Sequence, residues 1–183
     1  MGEHIKIGSL NCNGLCNHAK KDRLLRMFND KKHNLDIILI QETKLNQDKC
    51  NDLKEEWHEL TGGQSFFAPS VRTNSSGVAI LLNNKLKYAK TRNLKIIEDS
   101  KAIALEILIQ NRYHRILTSY APNDPGERMV FFRDINTICA QKIPTIWGGD
   151  HNCVESLIFD KLSPPSSVPS NSALDGSIEI KTF

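Results

Sequence analysis

Side chains that could act on a phosphate ester follow three short apolar runs of this chain. Glu42 stands after the run that begins at Ile37, Asn11 follows the first run, and Asp150 follows the last one. A run this short predicts a strand buried on both faces rather than a helix. Ligands of open α/β sheets bind just outside the carboxyl ends of such strands. The three strands are therefore predicted to bring carboxylate and carboxamide groups to one end of a sheet.

The chemistry predicted for this group is metal-assisted hydrolysis. Mg²⁺ prefers hard oxygen ligands, keeps several waters and usually takes only one or two carboxylates from a protein. Glu42 and the amide oxygen of Asn11 could together meet that requirement. Asp150 and Asn152 could position a water and hold a phosphate oxygen. The hydroxyl of Tyr120 could donate a hydrogen bond to a developing oxyanion or to a leaving group.

Several of these residues also have an ordinary structural explanation. Asn11, Asn13 and Asn123 are residue types that commonly form turns, and Gly-Gly-Asp is a plausible loop by itself. Tyr120 could be an ordinary strand aromatic. The spacing alone leaves the structural and the functional explanation open.

The elements that must position these residues follow from the periodicity of the apolar side chains. A helix is predicted after Asp124, which can cap it, with Pro125 at its first position and Glu127 completing a capping box. Strands that form hairpins and strands separated by helices together predict an α/β fold with a mixed sheet. The other predicted elements are helices at 20–30 and 49–60, the second ended by Gly62 and Gly63, strands at 5–10, 35–41, 64–68, 77–82, 101–109, 113–120 and 145–147, and a hairpin turn at Asn111-Arg112.

Composition and charge limit the class of protein. The 183 residues suit one domain, and no apolar run is long enough to cross a bilayer. Without an apolar secretory segment at the amino terminus, an intracellular location in nucleus or cytoplasm is expected, with no membrane partner. The net charge of +3 permits a polyanionic substrate without requiring one. Five irregularly spaced cysteines predict reduced thiols, and Cys12, Cys16 and His18 lack a completing zinc ligand.

Five motifs occur together in a specific order. They are Leu10-Asn11-Cys12-Asn13-Gly14-Leu15, Ile40-Gln41-Glu42-Thr43, Ser76-Gly77-Val78-Ala79-Ile80-Leu81, Ser119-Tyr120-Ala121-Pro122-Asn123 and Gly148-Gly149-Asp150-His151-Asn152. This set resembles the endonuclease/exonuclease/phosphatase superfamily. Within it, the set looks most like the endonuclease domain at the N-terminus of the LINE-type retrotransposon polyprotein, which is related to apurinic/apyrimidinic endonucleases. The resemblance covers about residues 5–170. It implies a sandwich of two β-sheets flanked by helices, with the active site across the top edge.

For the metal site, the resemblance implies Glu42 as the principal ligand, with assistance from Asn11. Asn13 stands where relatives often carry an aspartate near the metal, and we expect it to contact the substrate. The implied cofactor is Mg²⁺, with Mn²⁺ as an alternative.

For the substrate, the resemblance implies that Tyr120 contacts the scissile phosphate, with Asn123 supporting the site from its loop. Asp150 would orient the attacking water, and Asn152 would hold a phosphate oxygen. DNA is the implied partner, and the oligomeric state is left open.

Two features depart from the family pattern. His151 replaces an apolar residue, and it is not expected to share a site with Asp150 and Asn152, because consecutive residues of an extended segment point to opposite sides. Family members also continue to a Ser-Asp-His segment that supplies an essential histidine and an acidic residue, and this sequence stops before it. A truncated, partial domain is therefore expected at 1–160, lacking much of its second sheet, with a Pro/Ser-rich disordered tail at 161–183.

The predicted function is that of a metal-dependent phosphodiesterase of the endonuclease type, which nicks DNA, derives from a retrotransposon and is inactive as this truncated chain. A non-catalytic fragment that at most binds nucleic acid is one alternative, favoured by the missing histidine. A phosphatase of the same superfamily is the other, although the Ser-Tyr-Ala-Pro-Asn form of residues 119–123 favours DNA.

Overall fold

The computed structural model describes residues 4–71 and 76–153. The predicted tail at 161–183 and the last residues of the predicted partial domain lie outside them. No helix within the described part of the chain combines the length and the apolar character needed to cross a membrane. The described residues divide into two compact units, the first formed by 4–71, 76–120 and 143–150, and the second by 121–142 and 151–153.

The described residues contain strands and helices in mixed order, as predicted. The strands are β1 Ile7–Asn11, β2 Ile37–Gln41, β3 Gln64–Ala68, β4 Val78–Leu82, β5 Thr91–Ile97, β6 Ala102–Ile109, β7 Arg112–Tyr120 and β8 Thr145–Asp150. The helices are α1 His18–Phe28, α2 Gln47–Thr61 and α3 Pro125–Cys139, with a short 3-10 helix at Asn84–Leu86.

The first sheet has the strand order β1-β2-β4-β3. β1 and β2 run parallel, with Asn11 opposite Gln41, whereas β4 is antiparallel to both of its neighbours. Because the carboxyl ends of parallel strands lie at the same edge, Asn11 and the residue after Gln41 meet there. That next residue is Glu42.

The second sheet has the strand order β5-β6-β7-β8. β5, β6 and β7 are antiparallel in sequence order, and β8 returns parallel to β7 with Asp150 opposite Tyr120. Tyr120 and Asp150 therefore end two neighbouring strands at one edge of this sheet. Both sheets belong to the first unit, and the two-sheet α/β fold predicted from the sequence is confirmed.

Two apolar clusters hold the first unit together, one on each face of β2. Every residue of β2 is buried, which confirms that this strand is covered on both faces. The helix–sheet cluster packs α1 and α2 against one face through Leu25, Phe28, Ile38, Ile40, Leu53, Trp57, Ala79 and Leu81. The sheet–sheet cluster lies between the two sheets and contains Ile37, Leu39, Ile80, Leu82, Ile103, Leu105, Ile107 and Ile116.

The sheet–sheet cluster corrects one expectation. Much of the second sheet was expected to be absent, which would have left an apolar face of the first sheet exposed. Four strands of the second sheet are instead present, and Ile37 and Leu39 are fully buried. The described residues therefore enclose the core between the two sheets themselves.

The predicted and the observed elements differ notably at β5, in the hairpin between β6 and β7 and at the end of β8. β5 was not predicted, because it is an edge strand with mostly exposed residues and a register shift between Arg92 and Lys95. The hairpin between β6 and β7 turns on Gln110 and Asn111, whose φ angles are +49° and +61°, one residue earlier than predicted. β8 also extends through two glycines to Asp150, beyond the predicted end at 147.

The second unit contains α3, whose start was predicted correctly. The side chain of Asp124 accepts a hydrogen bond from the backbone N–H of Glu127 at 2.9 Å, and Pro125 stands in the first turn. This arrangement satisfies one of the backbone N–H groups that a helix start leaves without an intrahelical acceptor.

Candidate functional site

The carboxyl ends of β1, β2, β7 and β8 bring four predicted residues together in the first unit. Nδ2 of Asn11 donates a hydrogen bond to Oε1 of Glu42 at 3.0 Å and to Oδ2 of Asp150 at 2.7 Å. Tyr120 hydrogen-bonds to the same Glu42 carboxylate. One amide group therefore joins a carboxylate at the edge of the first sheet to a carboxylate at the edge of the second.

The amide of Asn11 has a defined orientation. Its nitrogen faces the two carboxylates, and its oxygen accepts a hydrogen bond from the backbone N–H of Asn13 at 2.9 Å. In this orientation Asn11 holds Glu42 and Asp150 through its N–H groups. A role as a metal ligand, which stays a prediction, would use the amide oxygen and therefore requires the group to turn over.

The carboxylate of Glu42 is held in its charged form. Burial by itself would raise the pKa of Glu42, but hydrogen bonds from Asn11 and Lys44, the positive charge of Lys44 and a hydrogen bond from Tyr120 together outweigh it. The pKa of Glu42 consequently lies below its ordinary value. A charged carboxylate near neutral pH is the form that a hard cation binds.

Lys44 belongs to this site, although the sequence analysis assigned it no role. Its ammonium group lies 3.0 Å from Oε2 of Glu42 and donates a hydrogen bond to Oδ1 of Asn13 at 2.6 Å. No local sequence pattern predicts this pairing, because Glu42 and Lys44 both have positive φ angles and the segment does not alternate like an extended strand. Thr43, between them, is completely buried.

The backbone around the site is strained and firmly held. Asn13, Glu42 and Lys44 have φ angles of +44°, +52° and +55°, a left-handed region that residues other than glycine adopt at a cost in free energy. Hydrogen bonds keep this conformation in place. The N–H of Gly14 donates to the carbonyl of Glu42 at 2.6 Å, and the N–H of Thr43 donates to the carbonyl of Gly77 at 2.9 Å.

A buried polar link between the two sheets lies next to the site in sequence. Gln41, the last residue of β2, is 1% exposed, and its Nε2 donates to Oγ1 of Thr118 on β7 at 2.8 Å and to Oγ of Ser9 on β1 at 3.1 Å. Because Glu42 follows directly, this link fixes where β2 ends relative to β7. Gln41 is a second residue to which the sequence analysis gave no role.

The donor groups of the site fit a hard divalent cation. Glu42 and Asp150 present two carboxylates that share one amide, and Mg²⁺ usually takes only one or two carboxylates from a protein. No cluster of three or more His, Cys, Asp or Glu residues suited to a metal ion occurs among residues 4–71 and 76–153. The five cysteines all lie in these ranges and form no disulfide.

The remaining predicted residues, Asn123 and Asn152, lie in the second unit. Nδ2 of Asn152 donates to the carbonyl of Ala121 at 2.6 Å, and the residue has a φ angle of +49°. The guanidinium of the buried Arg128 donates to the carbonyl of Asn123 at 3.0 Å and so holds that loop. His151 lies in the same unit with its ring edge-on to Phe132. The proposed contacts of Asn123 and Asn152 with the substrate stay predictions.

Comparison with known proteins gives a family and a set of related folds. A model of the Endonuclease/Exonuclease/phosphatase family matches residues 8–164. A search of curated proteins finds no match. The structure resembles an AP endonuclease from Archaeoglobus fulgidus with a TM-score of 0.64 at 16% identity, over 85% of this chain and 60% of that one. It resembles a humanized D. rerio TDP2 with a TM-score of 0.63 at 18% identity, over 82% of this chain and 67% of that one. It also resembles the catalytic domain of Xenopus laevis APE2, with a TM-score of 0.62 at 19% identity, over 84% and 60%.

The extent of these matches determines what they show. At identities below 20%, the solved structures show a common fold. The chain spans two thirds or less of several of the solved structures that it matches, with 60% of the A. fulgidus enzyme and 48% of a TDP2 from Caenorhabditis elegans.

Proposed function

This chain belongs to the Endonuclease/Exonuclease/phosphatase family, and we propose that it forms part of a metal-dependent phosphodiesterase of the endonuclease type. The observation that supports this proposal is the amide of Asn11, which joins the carboxylates of Glu42 and Asp150 where the ends of four strands meet. Two carboxylates, an amide and a tyrosine hydroxyl are groups that can hold a hard cation, a water and a phosphate.

Each side chain has a separate part in the proposed reaction. Glu42 would hold the cation, and Asn11 keeps Glu42 and Asp150 in place. Asp150 would orient a water whose oxygen bonds to phosphorus while the bond to the leaving oxygen on the opposite side breaks, with solvent taking the proton of the water and protonating the leaving oxygen. The Tyr120 hydroxyl would turn from Glu42 to donate its hydrogen bond to the phosphate. Mg²⁺ or Mn²⁺, when bound, would neutralise charge that develops on the phosphate oxygens.

DNA is the substrate that we propose for the complete enzyme. The chain carries a net charge of +3, which favours a polyanion weakly. One structural neighbour, a D. rerio TDP2, was solved in complex with a single-strand DNA product, and others are AP endonucleases. The sequence motifs lead us to propose a LINE-type retrotransposon origin and an intracellular location, in nucleus or cytoplasm. A phosphatase acting on small or lipid phosphates is the alternative within the family.

We further propose that residues 1–183 alone do not nick DNA measurably. The side chains that meet at this edge, Asn11, Glu42, Tyr120 and Asp150, do not include a histidine to act as a general acid or base. Losing one such group typically lowers a rate by about 10²–10⁴-fold. The chain alone would then be a non-catalytic protein that at most binds nucleic acid.

A supercoiled-plasmid nicking assay with Mg²⁺ tests both statements. The proteins compared are this chain, a chimera that adds the remaining segment of the A. fulgidus AP endonuclease, and the same chimera with Glu42→Gln or Glu55→Gln. Glu55 is an exposed carboxylate on α2 and serves as the matched control. We expect nicking only by the chimera and by its Glu55→Gln variant, with a loss of about 10²-fold or more in Glu42→Gln.

Two results would contradict these proposals. A soluble, folded chimera with no activity, or one that retains full activity in Glu42→Gln, would count against the endonuclease proposal. Nicking by the unmodified chain that disappears in Glu42→Gln would support the endonuclease proposal and overturn the statement that the chain alone is inactive.

A further inference from the structure

We propose that Lys44 is a counter-ion of Glu42 with which a divalent cation competes, and that it is transferred to the substrate phosphate when the cation binds Glu42. The inference rests on the function proposed above for the same site. It assigns to Lys44 a contact with substrate and a control over metal affinity.

The contacts of Glu42 carry the first step. Its Oε1 accepts from Asn11, and its Oε2 lies 3.0 Å from the ammonium of Lys44. Both oxygens that a cation would use are therefore engaged in the described structure. An ammonium and a divalent cation on one carboxylate oxygen repel each other strongly at this distance, in a site where Lys44 is only 24% and Glu42 16% exposed. A cation that binds Oε2 would therefore displace the ammonium.

The backbone limits how far Lys44 can move. Its N–H donates to the carbonyl of Ser76 at 3.1 Å. The residue before it, the buried Thr43, donates its own N–H to the carbonyl of Gly77. The main chain is thus fixed, and the movement must occur in the flexible four-carbon side chain. That stem passes close to Gly14, where a Cβ would lie 3.3 Å from Cδ of Lys44. The ammonium consequently remains at the edge where the carboxylates meet.

The destination of the ammonium follows from its surroundings. Lys44 also donates to the side chain of Asn13, and Lys20 donates to the backbone carbonyl of the same residue at 3.0 Å. Once its Glu42 partner is taken by the cation, the ammonium is a compact donor of three hydrogen bonds, one of which goes to the neutral side-chain oxygen of Asn13. A phosphate diester supplies the anionic oxygens that such a group binds best.

This transfer makes the binding of cation and ester cooperative. The cation releases Lys44 for the ester, and by thermodynamic reciprocity the ester raises the affinity for the cation by the same factor. Removing the ammonium should therefore strengthen cation binding, weaken ester binding and reduce the coupling between them. A lysine that only stabilised the loop would not produce these three effects together.

Titration of Mn²⁺ into the full chain by isothermal calorimetry is the first measurement. Lys44→Met is compared with Lys20→Met, which removes a positive charge beside Asn13 without touching Glu42, and with Lys44→Arg, which keeps the charge. We expect Lys44→Met to bind Mn²⁺ about three- to tenfold more tightly than Lys20→Met. Lys44→Arg should remain close to the unmodified chain. Thermal unfolding by circular dichroism confirms that each variant is folded.

The second measurement is binding of a short fluorescein-labelled DNA duplex, with and without Mn²⁺. We expect Mn²⁺ to raise the affinity of the unmodified chain about three- to tenfold more than it raises that of Lys44→Met. If Mn²⁺ raised the DNA affinity of Lys44→Met and of Lys20→Met by the same factor, the transfer of Lys44 to the phosphate would be overturned. Equal Mn²⁺ affinity in those two folded variants would overturn its role as a counter-ion.

Glu42→Gln separates these failures from failure of the proposed function. Loss of Mn²⁺ binding in Glu42→Gln, with Lys44→Met no tighter than Lys20→Met, would refute the role of Lys44 and leave the metal site intact. Equal Mn²⁺ binding by the unmodified chain and Glu42→Gln would remove Glu42 from the site, and both proposals would then fail.

Discussion

Asn11 occupies the point at which two carboxylates approach each other. Its nitrogen donates to Glu42 and Asp150, which stand at the edges of different sheets, and its oxygen is engaged by the N–H of Asn13. The hydrogen bonds from the amide and from Lys44, with the positive charge of Lys44, outweigh the effect of burial and lower the pKa of Glu42. The charge on Glu42 is therefore a property of its neighbours.

Replacing Asn11 with Ala should raise the pKa of Glu42. The change removes a hydrogen bond that lowers this pKa and leaves the Asp150 carboxylate nearby without the shared donor. A pH titration followed by NMR of the side-chain carboxyl carbon of Glu42 measures the shift. Asn51→Ala, at an exposed position on α2, is the control and should leave the titration unchanged. An unaltered pKa in Asn11→Ala would show that Lys44 and Tyr120 suffice to hold the charge.

Hydrogen bonds to one buried carboxylate, that of Glu106, connect three strands of the second sheet. Glu106 on β6 is 2% exposed and accepts hydrogen bonds from Arg92 and Asn93 on β5, both at 2.8 Å, and from Arg115 on β7 at 3.1 Å. Arg115 is also buried, at 3%. Burial would raise the pKa of Glu106, but the hydrogen bonds from these three residues and the charge of Arg92 outweigh it and lower the pKa. The carboxylate therefore ties the edge strand β5 to β7 through β6.

We expect Glu106→Gln to destabilise the protein by about 3–5 kcal/mol at neutral pH, because it leaves the guanidinium of Arg115 buried without its anion. Since the folded pKa lies below the unfolded value, the stabilisation is complete above the unfolded pKa and is lost as the pH falls through the folded one. The difference from the unmodified chain should therefore shrink below about pH 4.3. Urea unfolding at several pH values measures it.

The control for this prediction is Glu98→Gln, which breaks a partly exposed pair with Lys101 at 3.8 Å. It should cost less than about 1 kcal/mol. Similar losses in the free energy of unfolding of the two variants would show that burial does not strengthen the interactions of Glu106.

The sequence predicted elements wherever the local pattern and the tertiary environment agree. β2 and β4 have continuous apolar runs because both of their faces are covered, and α2 ends where predicted, at Gly62 with φ +68°. β5 escaped prediction because Asn93, in a left-handed conformation, interrupts the strand and Leu94 and Ile96 remain half-exposed. Its side chains Arg92 and Asn93 contact Glu106 on β6, and no local pattern contains these contacts.

The same distinction applies to the site. Asn11, Glu42, Tyr120 and Asp150 could be predicted as strand-end residues, because parallel pairing brings such ends to one edge. The direction of the Asn11 amide could not be predicted, since it depends on the N–H of Asn13 and on two carboxylates from different sheets. Neither could the pairing of Lys44 with Glu42, which depends on two left-handed residues in the loop.

For the molecule as a whole, β2 is the strand on which stability depends. Its side chains alternate between the helix–sheet cluster, through Ile38 and Ile40, and the sheet–sheet cluster, through Ile37 and Leu39. Packing lost on either side therefore acts on the same backbone. The first unit should accordingly unfold in one cooperative step instead of exposing an apolar sheet face.

Truncating β2 on either face tests this cooperativity. We expect Ile40→Ala and Leu39→Ala each to lower the free energy of unfolding by about 2–5 kcal/mol, because both side chains are fully buried. Two tryptophans report separately on the two regions. Trp57 lies in the helix–sheet cluster, and Trp147 on β8 donates to Oγ of Ser119 at 2.7 Å. Guanidinium unfolding of Trp147→Phe and Trp57→Phe variants therefore follows each region by the fluorescence of the remaining indole.

Within each single-tryptophan background, we expect the fluorescence transition to coincide with the one seen by far-UV circular dichroism. Adding Ile40→Ala or Leu39→Ala should shift both signals together, whichever face of β2 is truncated. If Ile40→Ala moved only the transition reported by Trp57, the two clusters would unfold independently. The second sheet would then remain folded after the helices had unfolded, and β2 would not couple the two clusters.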